Sequence, residues 1–230
     1  MMKQLKKISL IALLLLCCTA IWADKRDGMA TIIMKDGSRL ENVKIRVPKF
    51  SFDKKVEIND GQKRTIDAKN IERMFVWSPD APNDKVEMAY TQCYEYKKNM
   101  EKKPVSGYWW FILVTKGKNV SHWICGKLEI HKDAIEMIYP SLNVNYFWKN
   151  GDEGPCLMTL DSPKRCVECM TTYLADDPSL CAALETRHKD FYLTKDKIVK
   201  GHNILSNKYD VSQFNQWDYS LIVSTYSPKR

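Results

Sequence analysis

Four cysteines crowd into one short stretch of this chain, Cys156, Cys166, Cys169 and Cys181, and His188 follows close behind. Thiolates and imidazoles are the ligands of structural zinc, and Cys166-Val167-Glu168-Cys169 has the separation at which paired thiolates share a tetrahedral ion. A zinc finger needs a second close pair, and Cys181 with His188 is spaced too widely to supply one. The same C-x-x-C is a redox arrangement when a helix N-terminus lowers the pKa of its first thiol. Here Asp161-Ser162-Pro163 opens the helix earlier and leaves Cys166 about one turn inside it. The remaining reading is structural, as buried thiols or disulfides. Cys169 or Cys181 could also meet His188 as a nucleophile–base pair, since such partners need only be adjacent in space. These five residues are carried forward as metal or disulfide positions, with a structural role expected.

Trp109, Trp110, Trp123 and Trp148 form the second set with chemistry to offer. Aromatic faces can stack on a flat ligand, such as a glycan or peptide, and a platform of this kind needs two or more rings coplanar and exposed. A core would bury them instead. In Tyr108–Thr115 both alternating sets are apolar, as in a strand covered on both faces, so core filling is the expectation. Enzyme signatures are absent from the sequence: there is no Gly-x-Ser-x-Gly elbow, phosphate-cradling glycine loop or His-Glu-x-x-His site. His122, His131, His188 and His202 each read as surface or satisfied core histidines, and Asp176-Asp177 before Pro178 as helix capping. No catalytic residue and no cofactor is assigned.

The N-terminus bears on where these groups work. Lys3, Lys6 and Lys7 precede an apolar run from Ile8 to Cys18 that ends at Ala20 and Ala23, the layout of a secretory signal peptide. The run is shorter than the ~20 apolar residues a membrane span requires. Cleavage after Ala23 would leave 207 of the 230 residues and, with the three leader lysines gone, lower the net charge from +8 to +5. A second route would acylate Cys17 within Leu14-Leu15-Leu16-Cys17 and make a lipoprotein. Export to the periplasm, outer membrane or cell surface is expected, with no transmembrane span once the leader is removed. The modest charge is spread along the chain, so no nucleic-acid partner is expected. An exported chain permits disulfides, and the six cysteines beyond the leader allow fifteen pairings that sequence cannot choose among.

The elements that position these groups change period along the chain. Met29–Lys35, Asp36-Gly37 and Leu40–Val47 read as a hairpin; Phe50–Ile58, Asn59-Asp60-Gly61 and Arg64–Ile66 as a second; Ile71–Trp77 closes the unit. The turn-rich 78–84 segment is the candidate linker. Five strands are expected next: Val86–Tyr96, Tyr108–Thr115, Val120–Ile130, Ile135–Tyr139 and Val144–Trp148. Helical spacing follows, with Pro163 and Pro178 at helix starts and a third helix capped by Thr194 that carries Ile198, His202, Leu205 and Tyr209 on one face. The expected class is α+β: a small N-terminal antiparallel β-unit (28–77), an aromatic-rich antiparallel sheet (85–160) and short C-terminal helices (161–230) packed on it, after a 1–23 leader.

The order of leader, strand–Lys35-Asp36-Gly37–strand opening, aromatic hairpins and the tail Tyr173-Leu174-Ala175-Asp176-Asp177-Pro178-Ser179-Leu180 resembles uncharacterised secreted or envelope proteins of Gram-negative bacteria. The resemblance implies an envelope location and no catalytic residues, and it does not extend to Cys166 and Cys169. The reading is an exported, non-enzymatic envelope protein. The alternatives are a ligand-binding module built on the tryptophan-rich sheet, and a Cys-dependent enzyme or metal-binding protein. The partner is unknown, an envelope protein or glycan being the candidates.

Overall fold

The computed structural model describes residues 26–132, 134–138, 145–158, 162–192, 201–203, 208–210 and 217–228. Residues 1–25, with Cys17 and Cys18, and Val144, Asp161, Thr194, Ile198 and Leu205 lie outside them. The fold is mostly β, a large antiparallel sheet with three short helices among the described residues, consistent with α+β.

Glycines and aspartates open the sheet. β1 (Asp27–Met34) and β2 (Arg39–Arg46) meet at Asp36-Gly37, where Gly37 takes φ +85° and Asp36 accepts the N–H and the hydroxyl of Ser38. β3 (Lys55–Asn59) and β4 (Lys63–Asp67) turn at Gly61, φ +108°, a conformation that glycine adopts without a Cβ clash. β5 (Ile71–Ser78) runs straight into β6 (Ala81–Thr91). The turn-rich segment at 78–84 is thus a tight hairpin turn and the start of a strand, because Pro79-Asp80 suits a reversal and Ser78 pairs with Ala81.

The expected strand Val86–Tyr96 divides at Gln92-Cys93. β7 (Tyr94–Tyr96) crosses to the far side of the sheet, where it pairs with β8 (Lys102–Pro104) and, in parallel, with β14 (Cys156–Leu157). β9 (Trp109–Lys116), β10 (Val120–Cys125) and β13 (Asn145–Lys149) fill the middle. Gly126 splits the expected Val120–Ile130 strand, so β11 (Lys127–Ile130) leaves the sheet and pairs only with β12 (Ile135–Ile138). The twelve-stranded order is β4-β3-β2-β1-β5-β6-β9-β10-β13-β14-β7-β8.

Period-two alternation then sorts the side chains. Ala30, Ile32, Val43, Ile45, Val56, Ile58, Met74, Val76, Met88, Trp110, Ile112 and Ile124 build one core, closed by Leu128 and Ile130 of the β11–β12 hairpin. On the opposite face Ala89, Cys93, Phe111, Trp123 and Cys125 form a thinner layer. A third cluster lies between β13, β14 and the helices.

α1 (Pro163–Tyr173) starts where Ser162 Oγ accepts the N–H of Arg165 and Pro163 needs no partner. α2 (Pro178–Glu185) starts the same way on Asp177, whose other carboxylate oxygen accepts Ser227 N–H and ties the helix to the C-terminal tail. The third expected helix is corrected: β15 (Gly201–Asn203) and β16 (Lys208–Asp210) pair as a small hairpin with His202 opposite Tyr209. Gly201 and Asn203 are poor helix formers, and this outweighs the helical spacing. A helix not foreseen, α3 (Tyr219–Thr225), is capped by Asp218 and packs on β9 and β10.

The edge around β14 is braced by alternating rings and ammonium groups. Lys102 Nζ lies 4.9 Å from the Tyr94 ring and 5.3 Å from Tyr173, and Lys149 Nζ lies 5.3 Å from Tyr173 and 5.1 Å from Tyr226. Asp152 accepts from Lys102 and the Tyr173 hydroxyl; Asp176 accepts from Lys149 and the Tyr226 hydroxyl. The parallel β7–β14 contact beneath this edge depends on Gly154, where a Cβ would sit 2.2 Å from the Gln92 carbonyl oxygen. Backbone cannot yield as a side-chain tip can. Gly154→Ala is therefore expected to lower unfolding free energy by about 2–3 kcal/mol in urea titrations, a cost at the upper end for point substitutions.

Candidate functional site

Pro48 and Asp53 shape the most exposed apolar feature among the described residues. Sequence alternation suggests a strand from Phe50 to Ile58, but Asp53 Oδ2 accepts the N–H groups of Lys49 and Phe50 at 2.8 and 3.0 Å, and Asp53 N–H returns to Phe50 O at 3.1 Å. The aspartate thus draws the backbone into a turn and withdraws it from ladder pairing. The strand begins only at Lys55. Phe50 and Phe52 project from this loop with their rings parallel, interplanar angle 1° and centroids 5.2 Å apart. They are 47% and 59% exposed.

The loop is held rigidly. Trp110 N–H donates to Ser51 O at 2.6 Å, and the Trp110 indole donates to Asp53 O at 2.9 Å. Trp110 itself has no exposed surface. Tyr90 packs 5.2 Å from Trp110 and 5.8 Å from Tyr108, which is 37% exposed. Burial, then the charges of Asp67 and Asp53, push the Tyr90 hydroxyl above its ordinary pKa, so it stays neutral. Lysines surround the rings: Lys49 Nζ lies 5.3 Å from Phe50, Lys69 Nζ 5.1 Å from Tyr108, and Lys54 and Lys55 are exposed. Phe50, Phe52 and Tyr108 were not singled out by sequence reasoning; the signal was the Pro48…Asp53 turn pattern between hydrophobic runs.

The four tryptophans are placed differently. Trp110 and Trp123 are buried, Trp109 and Trp148 half-buried. Trp123 and Trp148 are neighbours across β10 and β13, with centroids 5.3 Å apart and planes tilted by 55°. The Arg73 guanidinium sits over both, 5.5 Å from Trp123 and 4.4 Å from Trp148, and is paired to Glu87 at 3.1 Å. A cation thus covers the faces that a flat ligand would need.

The cysteines are buried thiols. Cys156, Cys166 and Cys169 lie in the helix–sheet core and Cys93 and Cys125 in the thin outer layer, with no two of the six described cysteines at disulfide distance. Half-buried Cys181 points its sulfur at the Leu174 carbonyl, 3.3 Å away. His188 is exposed and faces Asp190 at 3.4 Å. Among the described residues, no three of Cys156, Cys166, Cys169, Cys181 and His188 bring donor atoms within 4.8 Å of one another. Burial pushes the Cys93, Cys156 and Cys169 thiols up to about 12, which leaves almost no thiolate at neutral pH. Peptide mapping after brief iodoacetamide treatment of the native protein at pH 8 should show these three protected and Cys181 alkylated first. Rapid labelling of Cys169 would contradict the burial.

Two polar clusters went unread in the sequence. Buried His122 faces Asn145 Oδ1 through Nε2 at 2.8 Å and Ser220 Oγ through Nδ1 at 3.3 Å, and Ser220 Oγ accepts from Thr115 at 2.7 Å. This joins β9, β10, β13 and α3, and no periodicity signals it because α3 arrives from about a hundred residues away. The arrangement resembles a Ser–His–Asn relay, but Tyr219 packs on the imidazole at 5.5 Å and burial pulls the His122 pKa down to about 4. Glu129, His131 and Glu136 are the one set of three metal-type donors within 4.8 Å among the described residues, produced by the pairing of Glu129 with Glu136. Lys127 pairs with Glu129 at 3.1 Å and His131 Nε2 lies 3.2 Å from a Glu136 carboxylate oxygen, so both carboxylates have partners within the hairpin.

His122 makes stability pH-dependent. Its pKa is near 6.5 in the unfolded chain and about 4 when folded, so the unfolded state takes up the extra proton on acidification. Stability is full above pH 6.5 and falls as pH drops toward 4, by up to about 3 kcal/mol. His122→Gln should flatten this slope in urea midpoints measured between pH 7 and pH 4.

Compared with known proteins, the chain matches no family model, and neither a curated protein nor a solved structure is significantly similar to it.

Proposed function

We propose that this chain is an exported, non-enzymatic protein of the cell envelope that acts by binding through the exposed Phe50–Phe52–Tyr108 end of its sheet. The observation that carries the reading is the grouping of exposed apolar side chains. Three of the four exposed large hydrophobics among the described residues lie at this one end, and lysines border them. Isolated exposed apolar side chains are ordinary, whereas a clustered set marks an interaction site. The chemistry elsewhere agrees with a non-catalytic role: the thiols are raised in pKa and buried, and the relay histidine is enclosed.

In this reading the N-terminal strands form the small unit that presents the end, and the helices stiffen the opposite side. The basic leader with its apolar run and the resemblance to Gram-negative envelope proteins support export. No helix among the described residues is long and apolar enough to cross a membrane. Intact mass of the protein recovered from its host's envelope fraction should fit a chain beginning near Asp24 or, as the lipoprotein variant of the same reading, one beginning at an acylated Cys17. A full-length mass confined to the cytoplasmic fraction would overturn export.

A further inference from the structure

The loop between β2 and β3 has the makeup of a wedge for lipid rather than a platform for a sugar. Phe50 stacks against Phe52 and has the Lys49 ammonium 5.3 Å from its ring centroid, so the pair offers ring edges more readily than a flat open platform. Phenylalanine also lacks the polar handle with which tyrosine or tryptophan orients a glycan or peptide. Two adjacent phenylalanine edges at 47% and 59% exposure are instead suited to a medium that is apolar and makes no directional demands.

The surrounding charge narrows the medium further. Residues 49–55 carry Lys49, Lys54 and Lys55 against one acid, Asp53, and that carboxylate is turned inward onto two backbone N–H groups. Among the described residues none of the three lysines is held in an ion pair with a carboxylate. Lys69 extends the basic rim beside Tyr108. Apolar tips rimmed by ammonium groups match an anionic bilayer, where hydrocarbon begins just beneath a layer of phosphates. The two Trp110 hydrogen bonds hold the loop in place before contact, so little conformational freedom remains to be lost on docking.

We propose that the Lys49–Lys55 loop docks the protein on an anionic lipid surface, with Phe50 and Phe52 entering the headgroup–acyl boundary and Lys49, Lys54 and Lys55 contacting lipid phosphates. The proposal rests on the binding role argued above and names its partner.

Sedimentation of the purified full chain with vesicles tests it. The vesicles are phosphatidylcholine alone, or phosphatidylcholine with about a third phosphatidylglycerol to supply the anionic surface. Wild type should partition more strongly onto the anionic vesicles, and Phe50→Ser/Phe52→Ser should weaken that partition by about tenfold or more through lost apolar insertion. Lys49→Gln/Lys54→Gln/Lys55→Gln, with both rings intact, should abolish the preference for anionic over neutral vesicles, and high salt should do the same to wild type. Variant and wild type carry the same N-terminus, so any contribution of residues 1–25 cancels in the ratio. Both variants change exposed side chains and should keep the wild-type thermal midpoint; a Phe52→Ser single variant repeats the comparison if the double variant does not.

Equal partition of wild type and the phenylalanine variant overturns the proposal. So does displacement by inorganic phosphate with the rings still unprotected, which would mark a free-phosphate site, or binding that needs an envelope protein and not lipid. If vesicle binding fails while the processed chain is still recovered from the envelope, the lipid assignment falls and the envelope reading stands.

Discussion

Everything in this fold hangs on one strand that must be dry on both sides. β9 places Trp110 and Ile112 in the main core and Phe111 in the opposite layer, all with no exposed surface. Such a strand is stable only if both its faces are covered, and burying side chains of this size contributes about 1.5–3 kcal/mol each. One face is covered by the curl of the N-terminal strands and the β11–β12 hairpin, the other by Arg73, Trp123, Trp148 and their neighbours. The indole and amide of Trp110 then reach the β2–β3 loop. The exposed phenylalanines are therefore positioned by the most deeply buried tryptophan among the described residues.

That coupling supports the binding role proposed above. Catalysis needs titratable groups tuned toward neutrality and open to a substrate. This protein shifts its groups the other way. Burial raises the cysteine thiols, and it holds His122 neutral behind Tyr219. One set of half-exposed polar groups is architectural: the Tyr94–Lys102–Tyr173–Lys149–Tyr226 ladder fastens β7, β13, α1 and the tail to one another. Cation–π contacts and tyrosine–carboxylate bonds of this kind stiffen an edge without creating a reactive centre. The Arg73 sandwich does the same for Trp123 and Trp148.

Local signals were legible wherever the physics is local. Asp36-Gly37 and Gly61 turns, the two-sided apolar character of Tyr108–Thr115, and the Ser162-Pro163 and Asp177-Pro178 helix starts all follow from φ preferences, alternation and capping. The errors arose where a side chain far along the chain or an unforeseen backbone bond competes with local preference. Asp53 turned an apparent strand into a loop; Gly126 sent β11 out of the sheet; Gln92-Cys93 let β7 cross to the far edge.

By itself the sequence determined that the chain is mostly β with a few capped helices, that its aromatics and cysteines go mainly to the core, and that no familiar catalytic motif is present. These are consequences of hydrophobic period, turn residues and composition, which act over a few neighbouring residues. Only the tertiary structure decided which side chains stay outside and what meets what. Phe50 and Phe52 are exposed because Trp110, some sixty positions on, captures the backbone between and beside them. His122 is neutral because burial beneath Tyr219 and its neighbours outweighs the Asn145 hydrogen bond, which favours the charged form. Exposure and pKa are set by the sum of all elements packed around a group, and that sum is not written in any local stretch of chain.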